Sequence, residues 1–134
     1  MADSFSFELV SPERLLVSEQ VTAVVAPATE GYMTVMARHA PLMTTLKPGV
    51  VTATLAGGTE RRFFVQGGFA DISPEGFTLL AEHATPAEEL DAAKLDEFIR
   101  KAEEVERDAK TPEAKLRAVG QVASLRDARS ALGL

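Results

Sequence analysis

Between Phe5 and Ala81 the apolar residues fall in short runs of period close to two, broken by glycine, proline and polar turns. Phe5, Phe7 and Leu9 alternate with Ser6 and Glu8, which puts three apolar side chains on one face of a strand. Val21 to Ala26 is a run rich in β-branched residues that ends at Pro27, and Gly31 to Ala37 alternates less cleanly. Val50 to Leu55 and Arg62 to Gln66 flank Ala56-Gly57-Gly58-Thr59, a hairpin signal because glycine tolerates positive φ. Phe69 to Ile72 follows Gly67-Gly68, and Ser73-Pro74-Glu75-Gly76 turns the chain into Phe77 to Ala81. Turn signals at this spacing, with no helical window between them, predict an antiparallel β-sandwich or flattened barrel of about eight to ten strands.

Near Thr85 the period changes. Leu95, Phe98, Ile99, Ala102 and Val105 stand at i, i+3, i+4, i+7 and i+10, one stripe of a helix. Thr85-Pro86-Ala87-Glu88 fits a capping box with proline in the first turn, and Asp91 suits a slightly later start. Thr111-Pro112-Glu113 ends this helix and begins a second, in which Leu116, Val119 and Ala123 share a face, with Val122, Leu125 and Leu132 nearby. The reading is a sandwich domain over residues 1–85 and an antiparallel two-helix hairpin over residues 86–134, with Ala102 and Ala123 suited to close helix approach. Gly120 weakens the second helix by roughly 1 kcal/mol against alanine unless close packing offsets it. Helices of about 20 residues are near the limit of independent helicity, so the hairpin must dock on something.

Composition sharpens the division. Residues 1–85 hold five Lys/Arg and nine Asp/Glu, while residues 86–134 hold nine and eleven; six of the seven phenylalanines lie in the first part. A formal charge of −6 opposes nucleic-acid binding, which needs a basic footprint. With no cysteine, a disulfide framework, a thiolate zinc site and cysteine catalysis are excluded. The longest uncharged stretch, Pro48 to Thr59, has 12 residues, too few to span a bilayer as a helix. Met1-Ala2-Asp3-Ser4 lacks the basic-then-apolar order of an export signal, so a cytosolic protein is expected.

Catalytic chemistry finds little to use. His39 lies in a turn beside Pro41, and adjacent Glu82 and His83 point to opposite faces of a strand, which makes a poor dyad. Nucleophile-elbow, phosphate-loop and dinucleotide motifs do not occur, and Gly57-Gly58 and Gly67-Gly68 read as turn and close-packing glycines. Glu103, Glu104, Glu106 and Asp108 read as a solvated helix face. Met33, Met36 and Met43 read first as core fillers and second as contact surface.

Glu8-Leu9-Val10-Ser11-Pro12-Glu13 stands near the start, and Glu30-Gly31-Tyr32-Met33-Thr34-Val35-Met36-Ala37-Arg38-His39-Ala40-Pro41-Leu42 is followed by Lys47-Pro48-Gly49. The order of these motifs resembles the epsilon-subunit family of the rotary ATP synthase, and the pairing of His39-Ala40-Pro41-Leu42 with Lys47-Pro48-Gly49 is its specific part. Gly67-Gly68-Phe69, Leu79-Leu80-Ala81-Glu82 and Leu90-Asp91 continue the resemblance over the full chain. It implies a non-catalytic rotor subunit of the central stalk, peripheral on the cytoplasmic face of the bacterial inner membrane. Its partners would be the gamma subunit, the c-subunit ring and, through extended helices that block ATP hydrolysis, the alpha/beta head.

By position, the resemblance assigns Ser11, His39 and Thr44 to the gamma side and Glu30 and Tyr32 to the c ring. Family members often carry an acidic residue where Tyr32 stands; tyrosine offers stacking and one hydroxyl instead. Arg38 replaces the usual glycine, so the loop is expected to keep a negative φ or carry strain. No cofactor is implied, and ATP enters only as a regulatory ligand. Its candidates are Asp91, Lys94 and Arg126, but Leu90-Asp91-Ala92-Ala93-Lys94-Leu95 has lysine and leucine where the binding motif has arginine and alanine. Lysine lacks the planar fork of arginine, and weak or absent ATP binding is expected. The alternative from another class is a free-standing ligand-binding sandwich with a helical dimerisation hairpin. Such a module calls for aromatic platforms, yet the chain has no tryptophan and a single tyrosine. A metal-dependent sandwich enzyme ranks third, for want of ligands.

Overall fold

The computed structural model describes residues 3–134; Met1 and Ala2, on which part of the export-signal reading rests, lie outside the described residues. The strands are β1 (Phe5–Val10), β2 (Leu15–Ala28), β3 (Gly31–Met36), β4 (Leu42–Thr45), β5 (Gly49–Leu55), β6 (Glu60–Ser73) and β7 (Gly76–Pro86). A single 3-10 turn, Ala87–Glu89, leads to α1 (Ala92–Asp108) and α2 (Pro112–Ala131).

Three long strands serve both layers of the sandwich. The first half of β2 pairs with β1, and its second half with β3 and β5. Residues 60–65 of β6 pair with β5 and residues 69–72 with β4, while β7 follows β6 along both stretches. One layer is therefore β3, β2, β5, β6 and the end of β7; the other is β2, β1, the start of β7, β6 and β4. The expected eight to ten strands are thus seven, because β2, β6 and β7 each run through a corner instead of stopping there. The pairing also departs from all-antiparallel: β1 lies parallel to β7, with Phe7 opposite Phe77.

The corner of β6 is made by Gly67 and Gly68, at φ 69° and 122°, conformations that glycine adopts without a Cβ penalty. A Cβ on Gly68 would stand 2.0 Å from the Leu80 carbonyl oxygen. The pair is a close-packing element, as expected, but inside a continuous strand and not between two. Pro27 likewise lies within β2, and the expected stop there does not occur.

The core follows the alternation. Phe7, Leu9, Val21, Val24, Val51, Phe63, Val65 and Leu79 are fully buried between the layers, and Phe7 meets Phe77 edge to face at 5.4 Å. Met33 packs against this core, whereas Met36 and Met43 are 59% and 70% exposed, so core filling fails for those two.

Asp91 caps α1, its Oδ1 accepting the Lys94 N–H at 2.8 Å. The later of the two expected starts is therefore the real one; Thr85 and Pro86 finish β7. Thr111 caps α2 through the Ala114 N–H at 3.1 Å, with Pro112 in the first turn. The helices run antiparallel, with the pairs Arg126–Glu103 and Arg129–Asp96 bridging them at the surface. The face of α2 is the reverse of the expected one: Ala118, Val122, Leu125 and Ala128 are buried, while Leu116 (74% exposed), Val119 and Ala123 face outward. Residues 116 and 118 lie about 200° apart around a helix. Apolar positions occupy both stripes, so periodicity alone could not choose. Ala123 accordingly does not face α1.

The hairpin seats on the outer face of the first layer. Val50 and Phe64, register partners on β5 and β6, form a second apolar cluster with Leu90, Leu95, Ile99, Leu125 and Ala128, and Phe98 stacks on Phe64 at 5.9 Å. Burial of a side chain such as Leu95 contributes roughly 2 kcal/mol. The seat covers one end of the hairpin; toward the other end Val105 is 63% exposed.

Two substitutions test this description. Gly120→Ala meets no atom within 4 Å and should raise the midpoint of thermal unfolding, by roughly 3–5 °C for about 1 kcal/mol. Gly68→Ala forces backbone against backbone at the corner and should cost at least about 2 kcal/mol in urea unfolding.

Candidate functional site

The positions matched to partner contacts sit on two separate parts of the sandwich. In the loop between β3 and β4, Arg38 adopts φ 63° despite its side chain, so of the two expected outcomes, a negative φ or strain, the second occurs. Its guanidinium pairs with Asp3, and the turn closes through the His39 N–H donating to the Met36 carbonyl at 3.2 Å. His39 is half-buried, with Nδ1 2.8 Å from the Ala40 carbonyl oxygen. Ser11 is buried, its hydroxyl directed at the Arg14 carbonyl of its own turn at 3.4 Å. Thr44, opposite Ala70, is half-buried on the inward side of edge strand β4.

Outward, the second layer presents one mostly apolar row beside a polar one, Asp71, Thr78, Glu8 and Ser18. Thr45, Phe69, Leu80, Val10 and Leu15 stand in register across β4, β6, β7, β1 and β2. Phe69, Leu80 and Leu15 are 53%, 49% and 54% exposed, with Met43 next to this row on β4. A shallow depression of about 350 Å³ runs along it, lined by Val10, Ser11, Gly68, Phe69 and Leu80 among others. The runs read from the sequence include Phe69 and Leu80 but not Val10, Leu15, Met43 or Thr45, and of these only Met43 reads as contact surface. A signal was present: Leu15-Leu16, Leu42-Met43, Phe69-Ala70 and Leu79-Leu80 are adjacent apolar pairs, and in a strand one member of each must point away from the core.

The tip between β2 and β3 carries the other pair of candidates. Glu30 is exposed in the two-residue turn. Tyr32 is 49% exposed yet engaged: its hydroxyl oxygen accepts the Val50 N–H at 3.0 Å, and the Lys47 ammonium lies 5.7 Å from the ring centroid.

Of the nucleotide candidates, Asp91 and Lys94 are neighbours at the start of α1, but Arg126 is not brought to them. Asp91 is occupied in its cap, and Lys94 Nζ donates to the Glu89 carbonyl at 3.2 Å. Arg126 binds Glu103 at 2.5 Å, 12 residues along the helix from Asp91, or about 18 Å at 1.5 Å per residue. Arg129, bonded to Asp96 at 2.8 Å, is the arginine of α2 nearer that end. The titration of Glu97 is also perturbed, held below the usual carboxylate range by its hydrogen bond to Arg100 on the exposed face of α1. Among the described residues no group of three or more acidic or histidine side chains is arranged to hold a metal ion. A cleft of about 610 Å³ opens between sheet and hairpin, lined by Phe64, Phe98, Leu125, His83, Lys101 and Gln121 among others.

Residues 4–87 match the model of the ATP synthase delta/epsilon chain β-sandwich domain. The ATP synthase epsilon chain of Mesorhizobium japonicum is 59% identical over 118 residues, covering 88% of this chain and 87% of that protein. The epsilon chain of Rhizobium meliloti is 65% identical over 102 residues, 76% of each. In fold, the chain is similar to one in the cryo-EM structure of the Euglena gracilis mitochondrial ATP synthase (OSCP/F1/c-ring, rotational state 1), with TM-score 0.76, 23% identity and 96% and 81% of the two chains covered. A chain in the Tetrahymena thermophila mitochondrial ATP synthase central stalk/c-ring structure gives TM-score 0.70 at 13% identity, over 94% of this chain and 96% of that one. With the sandwich model spanning its strands and close relatives aligned over most of its length, the chain belongs to the ATP synthase epsilon chain family.

Proposed function

We propose that the chain is a non-catalytic part of the rotor, joining the c-subunit ring to the gamma subunit so that rotation at the membrane reaches the catalytic head. The observation that carries this reading is the apolar row of exposed Leu15, Leu80 and Phe69 and half-buried Val10, with Met43 beside it, on the outer face of the second layer. An apolar strip of this kind on a folded domain is a contact surface. It suits a shaft held for many turns, because buried aliphatic and aromatic area gives slow dissociation without a charge pattern that salt would screen. The gamma subunit is the partner we assign to it, with Ser11 at its border.

We assign the c ring to the tip at Glu30. Tyr32 already uses its hydroxyl and ring within the chain, which leaves Glu30 as the carboxylate at that tip. No described helix is long and apolar enough to cross a membrane, and we place the chain peripherally at the cytoplasmic face of a bacterial inner membrane through these partners. In this reading the hairpin is the regulatory part: seated on Val50 and Phe64 it is folded back, and released it extends toward the alpha/beta head to slow ATP hydrolysis. ATP itself is a weak or absent ligand, since Asp91, Lys94 and Arg126 are separately engaged.

The partner assignment is tested by capture with purified gamma subunit. Phe69→Ala or Leu80→Asp should weaken binding by about thirtyfold or more, the loss typical of a central anchor, whereas Thr44→Ala should leave it nearly unchanged. Equal binding by all three variants contradicts the assignment. Calorimetric titration with ATP should give no micromolar binding to the isolated chain, and a micromolar constant would show that the engaged side chains release readily.

A further inference from the structure

The β2–β3 tip and the seat of the helical hairpin share the outer face of the first layer, and one side chain joins them. On edge strand β3, Met33 and Val35 pack into the core, which sends Tyr32 and its alternate neighbours to the outside. The Tyr32 hydroxyl oxygen accepts the Val50 N–H. On its β2 side, the register of β5 runs as far as Val25 opposite Thr52; beyond that the Pro27 carbonyl accepts the Lys47 N–H at 3.0 Å. The phenol therefore supplies an acceptor to an amide at the end of the ladder.

Gly49 makes this approach possible. A Cβ there would lie 2.6 Å from both the Tyr32 hydroxyl oxygen and the Pro27 Cβ. The Lys47 ammonium over the ring holds the phenol from a further side. Val50 is the point of convergence, because its amide is bound to the tip and its side chain belongs to the seat, with Phe64, Leu95, Ile99 and Leu125.

We propose that Tyr32 is a positioning residue that holds the start of β5 in place beneath the hairpin, so that displacing the β2–β3 tip loosens the hairpin's seat. Both ends of this path lie within the chain, so the inference stands apart from the partner assignments above. The coupled element is the hairpin, and its release from Val50 and Phe64 rests on the proposed function above. A contact that shifts that equilibrium changes local opening without changing the unfolding of the sandwich.

Hydrogen exchange of the full-length chain, read by mass spectrometry, separates the outcomes. In Tyr32→Phe, amides of α1 and α2 should exchange about fivefold faster, the effect of one net hydrogen bond, while those of β1 and the start of β7 keep their rates. Gly49→Ala, whose Cβ would press on both the Tyr32 hydroxyl and Pro27, should accelerate the helices at least as much. The proposal is overturned if neither variant changes exchange in the helices. It is equally overturned if both accelerate exchange uniformly through sandwich and hairpin, since that is the signature of a merely structural contact.

Discussion

The backbone corner at Gly67-Gly68 is the constraint on which the arrangement depends. Because β6 continues through it, one strand presents Phe64 outward from the first layer, under the hairpin, and Phe69 outward from the second, in the exposed row. Phe63, Val65 and Ala70 point inward on either side and knit the layers into one core. A side chain at Gly68 would collide with the Leu80 backbone, so β7 can follow the corner only where no Cβ intervenes. The hairpin's seat and the apolar row are thus on opposite sides of the sandwich, and their separation is set by backbone geometry.

Rigid and detachable parts are held by different amounts of buried surface. The sandwich closes on itself through β1, which pairs with both β2 and β7, and its core residues are sealed from solvent. The hairpin rests on Val50 and Phe64, aided by Arg62 donating to the Ala131 carbonyl at 3.3 Å and by the exposed Arg14–Glu89 pair at 3.6 Å. Exposed ion pairs of that kind contribute little in salt. A hairpin seated through one end on a small apolar cluster suits the release proposed for it, with the sandwich core left intact.

Much of this was legible in the residues. Phe7 and Leu9 marked the core by alternation, and Asp91 and Thr111 marked helix starts through side-chain capping, a strictly local device. Features set by tertiary contact were not. The choice between the Leu116 and Ala118 stripes of α2 depends on where the hairpin lands, and both stripes are apolar. The exposure of Phe69 and Leu80 depends on register across four strands. The resemblance placed Asp91, Lys94 and Arg126 in one motif, but the distance of Arg126 from the other two appears only when the helices are paired. Arg38 shows the same limit: its left-handed backbone is imposed by the loop it closes, with Asp3 beside its guanidinium.

The central claim is that the chain grips the rotor shaft through the outer face of its second layer. Hydroxyl-radical footprinting of the chain, free and bound to purified gamma subunit, tests it directly because Met43 and Phe69 are exposed and oxidisable. The account predicts that binding strongly protects Met43, Phe69 and Leu80 and leaves Leu116 and Val119 as reactive as before. Protection of the α2 stripe with Met43 and Phe69 still freely oxidised would contradict it.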